Sequence, residues 1–497
     1  MEWILRLECR DEHAVLHERD IARFERQTEC LRPEEVGLTL LDATTLLYNI
    51  QWNVVRDQVA FQAEVRRKCA VCGEPKRIKD YRRRTLRTLF GAIPIRCPRY
   101  QGCACLEGHA RVDWPLDSAL PERHTPEFAY VLAKLGSTMP YRKAVALLHE
   151  LFPLSRQDVS YGSVRRRTLE VGDEIERRAI DRAEYDACGP RRAPVAAAEQ
   201  ITVALDGTYV RADRSADGRQ LHVIAGRIER NGKLGNRFAW IPEAAGACSP
   251  EMMRSALDDD GYTDLTHLAV LADGAGGLTS VVRDGAQQSP SPQLDWFHVS
   301  MRLRHIEQMA PKTADLLPDT AAQRALLEQA PRLRWLIWHG RSEEVLPLLT
   351  QMSRVTKLAA RGSDIPAQER LARFRRHVVE LHRYLRNNAR GLIDYGLAWR
   401  SGKRISTAPA ESGMGHVVKE RMGRGKPIRW SADGANRMLQ VRCAVLDDRL
   451  VRLFQEWYPR FRRTPRTIGI RGFGQVPLGA YKTFQRVPTF GRVPPDL

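Results

Sequence analysis

Ile201-Thr-Val-Ala-Leu-Asp206-Gly207-Thr-Tyr-Val210 is the stretch whose reading decides the fold. It is an apolar run that ends in an acid followed by glycine. Leu221-His-Val-Ile-Ala-Gly226 and Phe238-Ala-Trp-Ile241 continue the strand pattern, with turns at Asp217-Gly218 and Asn231-Gly232 between them. His267-Leu-Ala-Val-Leu271 is apolar without alternation, as a strand covered on both faces is. Short helices are expected near Pro250–Asp258 and Gly277–Arg283, and a fifth strand over Gln293-Leu-Asp-Trp-Phe297. From Val299 to about Trp399 the pattern is helical, and helix returns at Glu411–Arg421 and Asn436–Trp457. The expectation is an α/β domain, a mixed sheet interrupted by an all-helical insertion.

Two of the five strands end in the same chemistry. Asp206 closes the first, and Asp273, in Leu271-Ala-Asp-Gly274, closes the fourth. If those strands are neighbours, the two carboxylates meet at one end of the sheet, where they repel unless a cation joins them. Hard oxygen ligands favour magnesium or manganese. A third carboxylate would complete a two-metal site for in-line phosphoryl transfer. Glu411 is the leading candidate, with Glu420 and Asp433 as rivals. An aspartate after a strand is more commonly a turn residue; the pair, each followed by glycine, raises the stakes. Asp295-Trp-Phe-His298 adds an acid and an imidazole three residues apart, placed to orient a phosphate or a bound water. A buried aromatic strand with a surface histidine is the plainer alternative.

Upstream, five of the ten cysteines fall between Cys69 and Cys105. Cys69-Ala-Val-Cys72-Gly73 is a knuckle, and Cys103-Ala-Cys105 supplies a second pair. Four thiolates suit structural zinc, with strand-turn-strand residues between the pairs as in a zinc ribbon. Cys97 or His109 could stand in for a member of the second pair. Arg66, Arg67, Lys68, Lys76 and Arg82–Arg84 surround the cluster, as a phosphate-contacting module would have them. Next, Phe128–Leu135, Tyr141–Leu151 and a helix from Val164 with Arg165, Arg166 and Arg167 fit a helix-turn-helix on duplex DNA. A helical bundle with a solvated basic face is the competing reading.

The 497 residues carry 79 Lys and Arg against 60 Asp and Glu, a formal charge of +19. That excess points to a polyanionic partner, nucleic acid before membrane. No apolar run is long enough to span a bilayer, and acidic residues stand where a secretion signal needs a basic start. A cytoplasmic, nucleoid-associated protein is expected. The stretch from residue 459 to 497 has seven Arg and one Lys against one Asp, an electrostatic arm. The expected divisions are a helical region at 1–60, a zinc-ribbon-like domain at 61–119 and a helical DNA-binding region at 120–187. A linker follows at 188–200, then a catalytic domain at 201–298 and 405–458. The insertion is 299–404 and the basic tail 459–497.

Leu205-Asp-Gly-Thr208, Ala272-Asp-Gly274, Asp295-Trp-Phe-His298, Ala410-Glu-Ser412, Arg421-Met422 and Arg429-Trp-Ser-Ala-Asp-Gly-Ala435 occur in this order. Taken together they resemble bacterial insertion-sequence DDE transposases of the ISKra type, distant relatives of the Mutator-like transposases. The resemblance covers the zinc-ribbon region and most of 120–450. It implies a ribonuclease H-like catalytic domain with a helical insertion, Asp206, Asp273 and Glu411 as the catalytic triad, and Asp295 with His298 as an accessory motif. On this reading Arg429 and Trp430 lie near the strand being cut, where the indole could stack on a base; packing beside the Glu411 helix is its more ordinary role. The implied activity is metal-dependent cleavage and strand transfer at terminal inverted repeats, by a homodimer or a larger synaptic complex. An inactive DNA-binding regulator and a nuclease without strand transfer are the alternatives.

Overall fold

The computed structural model describes residues 1–10, 15–26, 32–103, 105, 112–116, 120, 122–188, 196–214, 218–244, 249–274, 277–407, 415–423, 425–426 and 428–462. Glu411, His109 and residues 463–497 of the basic tail lie outside them.

Residues 1–60 are not a helical region. β1 (Glu2–Arg10) and β2 (Val15–Glu25) form an antiparallel hairpin, and only then does α1 (Leu40–Arg67) begin. Leu5, Leu7 and Cys9 alternate toward one face, a period-2 signal masked by the neighbouring charges. Thr39 starts α1 with a reciprocal capping box to Asp42. β3 (Ile78–Thr88) and β4 (Gly91–Gln101) pair antiparallel, with the short β5 (Val112–Asp113) on the far edge of β4. Val55 and Val59 of α1 pack on Leu86, Ile93 and Ile95 of that sheet.

α2 (Pro126–Thr138), α3 (Tyr141–Leu151) and α4 (Tyr161–Cys188) follow. Gly136 does not break its helix as its sequence neighbourhood suggests; α2 runs through it. A Cβ at Gly136 would lie 2.2 Å from Thr168 Oγ1, so the glycine is where α4 crosses α2. α4 is 28 residues long and packs along a later helix, α12 (Ala432–Leu446). At Gly172 a Cβ would stand 2.1 Å from the Arg437 carbonyl oxygen. The helical region is therefore joined to the central sheet through packed helices, and not separated from it.

The central sheet has five strands in the order β10-β9-β6-β7-β8. These are β6 (Gln200–Arg211), β7 (Gln220–Arg230), β8 (Lys233–Trp240), β9 (His267–Ala272) and β10 (Ser291–Leu294). β6, β7 and β8 are successive antiparallel neighbours, while β9 runs parallel to β6 and β10 parallel to β9. One face packs on α5 (Ser249–Asp259) and α6 (Leu278–Ala286) through Met253, Leu257 and Val282. The other packs on α12 and on Val417, Met422 and Trp430. The fifth strand is shorter than its aromatic run suggests: it stops at Leu294, and Trp296 and Phe297 already belong to a helix.

That helix, α7 (Trp296–Ala314), opens the all-helical insertion. α8 (Thr320–Trp338), α9 (Ser342–Ala359), α10 (Ile365–Asn387) and α11 (Tyr395–Arg400) complete it around their own core of Leu303, Leu333, Phe374 and Leu381. The helix expected over Glu411–Arg421 is described from Gly415, as a π-helical turn to Lys419 and a short helix over Glu420–Met422. The long helix expected at Asn436–Trp457 is two. Asp447 caps α12, and α13 (Leu450–Trp457) starts a separate unit.

Candidate functional site

The register of the central sheet settles where the two strand-end acids lie. Ala204 pairs with Leu271 across β6 and β9, so two residues further on Asp206 stands beside Asp273. Leu294 pairs with Ala272 across β10 and β9, which sets Asp295 beside Asp273 on the other side. Asp206 does not close its strand as the sequence suggests: β6 runs on to Arg211 beside β7, and the acid lies where β6 outruns β9, while Asp273 and Asp295 stand just past the ends of β9 and β10. Asp206 Oδ1 accepts the Gly207 amide at 2.7 Å. Burial pushes the Asp206 carboxyl above its ordinary range, and the charges of Asp273 and Asp295 push the same way. The Gly207 amide and His298 oppose them.

Asp295 is fully buried. Its Oδ1 accepts the Phe297 amide at 2.8 Å as the N-cap of α7, and its Oδ2 accepts the Thr407 hydroxyl. His298 Nε2 lies 3.7 Å from the same Oδ2. Asp295 is thereby a positioning group: it starts the insertion, lies beside His298 and fastens the chain where it returns from the insertion. Trp296 N donating to the Ile405 carbonyl at 3.0 Å closes the same junction.

Sequence reading missed three further contributors. Tyr384 Oη of α10 donates to the Asp273 carbonyl oxygen at 2.8 Å. Burial raises that phenol strongly, so it remains a donor. Arg302 lies over its ring at 4.2 Å. Gly274 has a left-handed φ of +83°, and a Cβ there would strike the Asn388 side chain at 2.5 Å. With Thr407, these residues seat the helical insertion on the carboxylate end of the sheet. Their partners are some 80 to 115 residues away along the chain, which leaves no local signal.

Glu420 is held below its ordinary range by His416 first, and also contacts Arg442. Asp433 sits in the first turn of α12, where its charge acts on Glu176 of α4. Trp430 is 5% exposed, and its backbone bridges to Arg211 and Asp213. The indole packs against buried Arg421, so base stacking is corrected to packing; Arg429 beside it is exposed.

The second cluster is sulfur. Cys69, Cys72, Cys103 and Cys105 place their Sγ atoms within 4.8 Å of one another, with Cys69–Cys105 at 3.5 Å and Cys72–Cys103 at 3.4 Å. Zn–S bonds of about 2.3 Å give a tetrahedron with edges of roughly 3.8 Å, so the four sulfurs fit a structural zinc ion. Gly73 at φ +76° turns the knuckle, its amide bonded to the Cys69 carbonyl at 3.0 Å. The backbone amides of Cys72 and Val71 draw the Cys69 thiol down to about 6, whereas sharing protons with Cys103 and its neighbours pushes Cys105 up to about 12. Cys97 is not an alternative ligand. It is fully buried on β4 among Val55, Ile93 and Leu116.

Basic hollows also occur among the described residues. One, of about 570 Å³, lies at the start of α4 and is lined by Arg87, Arg165, Arg166 and Arg437 with Asp158 and Glu170. Arg167 is not in that lining but pairs with Glu170, which is. Another, of about 750 Å³, lies between α1 and the β3–β4 sheet, where Arg56 stacks on Trp52 and Arg96 on Tyr81. Among the described residues no helix is long and apolar enough to cross a membrane. The chain matches no protein-family model and no curated protein.

Proposed function

We propose that this chain is a DNA transposase of the DDE type, acting on the ends of its own element through the carboxylates at the end of the central sheet. The observation that carries the reading is the nearness of Asp206 and Asp273, each two residues past the last paired position, Ala204 with Leu271, of adjacent parallel strands. Three antiparallel strands flanked by two parallel ones, with helices on both faces, support a ribonuclease H-like sheet.

Asp206 and Asp273 would hold divalent magnesium or manganese, whose charge would offset both the burial that chiefly raises the Asp206 carboxyl and the repulsion from Asp273. When bound, such ions activate water or a 3′-hydroxyl and stabilise the leaving oxygen of an in-line displacement. Glu411 is the proposed third ligand. It follows Thr407 by four residues, and four extended residues span at most about 14 Å. Asp295 fixes His298 beside the pair, where the imidazole is placed to hydrogen-bond a phosphate oxygen. Arg165 and Arg166 in the α4 hollow, and the Arg-aromatic groove beside α1, are proposed to take the phosphates of duplex DNA. Two ends must be held at once, so a homodimer or larger synaptic complex is proposed, located with the nucleoid in the cytoplasm.

A strand-transfer assay with element-end DNA and magnesium tests the reading. Joined products are expected from the wild type and none from Asp206→Asn. Binding without cutting would assign the chain to inactive regulators, and cutting without joining to plain nucleases.

A further inference from the structure

The N-terminal hairpin has little core of its own. Of its described side chains only Ile21 and Phe24 are buried, and a two-stranded hairpin is marginal in water without other support. Near its turn, three metal-ligating side chains from three elements converge. Cys9 comes from β1, His17 lies directly opposite it on β2, and Asp57 comes from α1. One ligand atom from each lies within 4.8 Å of the other two. His17 Nε2 stands 3.1 Å from Asp57 Oδ2. His17 Nδ1 is buried and has no hydrogen-bond partner among the described residues. Arg19 takes the opposite carboxylate oxygen, Oδ1, at 3.3 Å, and is itself anchored on Asn53 Oδ1 at 2.9 Å.

A histidine–aspartate ion pair alone accounts for the 3.1 Å contact. It does not account for the thiol brought into the same space, nor for the orphaned ring nitrogen. We propose that Cys9, His17 and Asp57 form a second metal site, separate from the four-cysteine cluster, that binds one divalent transition ion of the zinc class. Metal–ligand bonds of about 2.0–2.3 Å set ligand atoms roughly 3–4 Å apart; the His17–Asp57 contact has that spacing, and Cys9 lies within 4.8 Å of both. Thiolate with imidazole selects zinc-like ions over magnesium or calcium. Three protein ligands leave a fourth position for water. Arg19 on the far carboxylate oxygen is the outer support that fixes a ligand's orientation. The ion would fasten both strands of the hairpin to α1.

The site is independent of the transposase reading, and its test is metal content. The full chain should carry two zinc ions per copy, and the Cys69→Ser/Cys72→Ser variant one. That variant leaves the hairpin untouched. Loaded with cobalt, it should show a thiolate-to-cobalt charge-transfer band, which disappears when Cys9→Ser or His17→Gln is added. If the Cys69→Ser/Cys72→Ser protein binds no zinc and shows no such band, the second site does not exist. Retention of the band in the Cys9→Ser combination would overturn the ligand assignment equally.

Discussion

The four thiols and the three strand-end carboxylates are both clusters of groups that ionise to like charge, and they are assembled in opposite ways. The thiols are gathered by short-range geometry: a glycine turn for one pair and the end of β4 for the other. The carboxylates come from three strands and are locked by residues of the insertion, Tyr384 and Asn388, and by Thr407 beyond it. A closed set of four sulfurs leaves no room for substrate and serves stability. An acidic pair at the open end of a sheet pays a standing electrostatic penalty, and such arrangements persist where chemistry uses them.

The sharpest way to break this contrast is to neutralise one member of each set. Asp206→Asn should lower cleavage by about a thousandfold or more, the scale of several kcal/mol of lost charge stabilisation, while DNA binding in a mobility-shift assay persists. Loss of both would mean that Asp206 supports the fold instead. Arg442→Ala comes next. This buried guanidinium donates to the carbonyls of Val417, His416 and Ser137, tying α2 to the segment after residue 415. Leaving those acceptors unsatisfied should cost about 3 kcal/mol or more in denaturant unfolding. Gly172→Ala drives a methyl into the Arg437 carbonyl and should cost about 1–3 kcal/mol by the same measurement. Thr407→Val removes one hydrogen bond from Asp295 and should cost about 1 kcal/mol.

The smallest expected effect is in pH. A carboxyl whose folded value is raised disfavours the folded state above that value, and the penalty is relieved as pH falls through it. Without metal, Asp206→Asn should therefore melt slightly above the wild type at neutral pH. The difference should vanish below about pH 4, where the unfolded-state aspartate is also protonated. Added magnesium should raise the melting temperature of the wild type and leave that of the variant nearly unmoved. An identical pH profile for the two proteins would show that neither burial nor the neighbouring acids raise Asp206.

The sheet was legible because its strands are unbroken apolar runs punctuated by glycine turns, and the Asp206–Asp273 pairing followed from which strands are neighbours. The knuckle Cys69-Ala-Val-Cys72-Gly73 was legible from spacing. What escaped is non-local or two-valued. Gly136 reads as a helix breaker yet marks a helix crossing. Gln293–Phe297 reads as one strand because an aromatic run does not say where Asp295 will cap a helix. The hairpin at 2–25 was hidden because its alternating face is narrow and its other face is charged.

Gly172 has a mechanical consequence. A helix of 28 residues is about 42 Å long, and α4 begins at the basic hollow beside Arg165 and crosses α12 at backbone contact distance. With no side chain between the two backbones, α4 has no slack there to roll or slide. Any displacement of the basic end of α4 would therefore pass to α12 at that contact, and through it to the face of the central sheet that α12 covers.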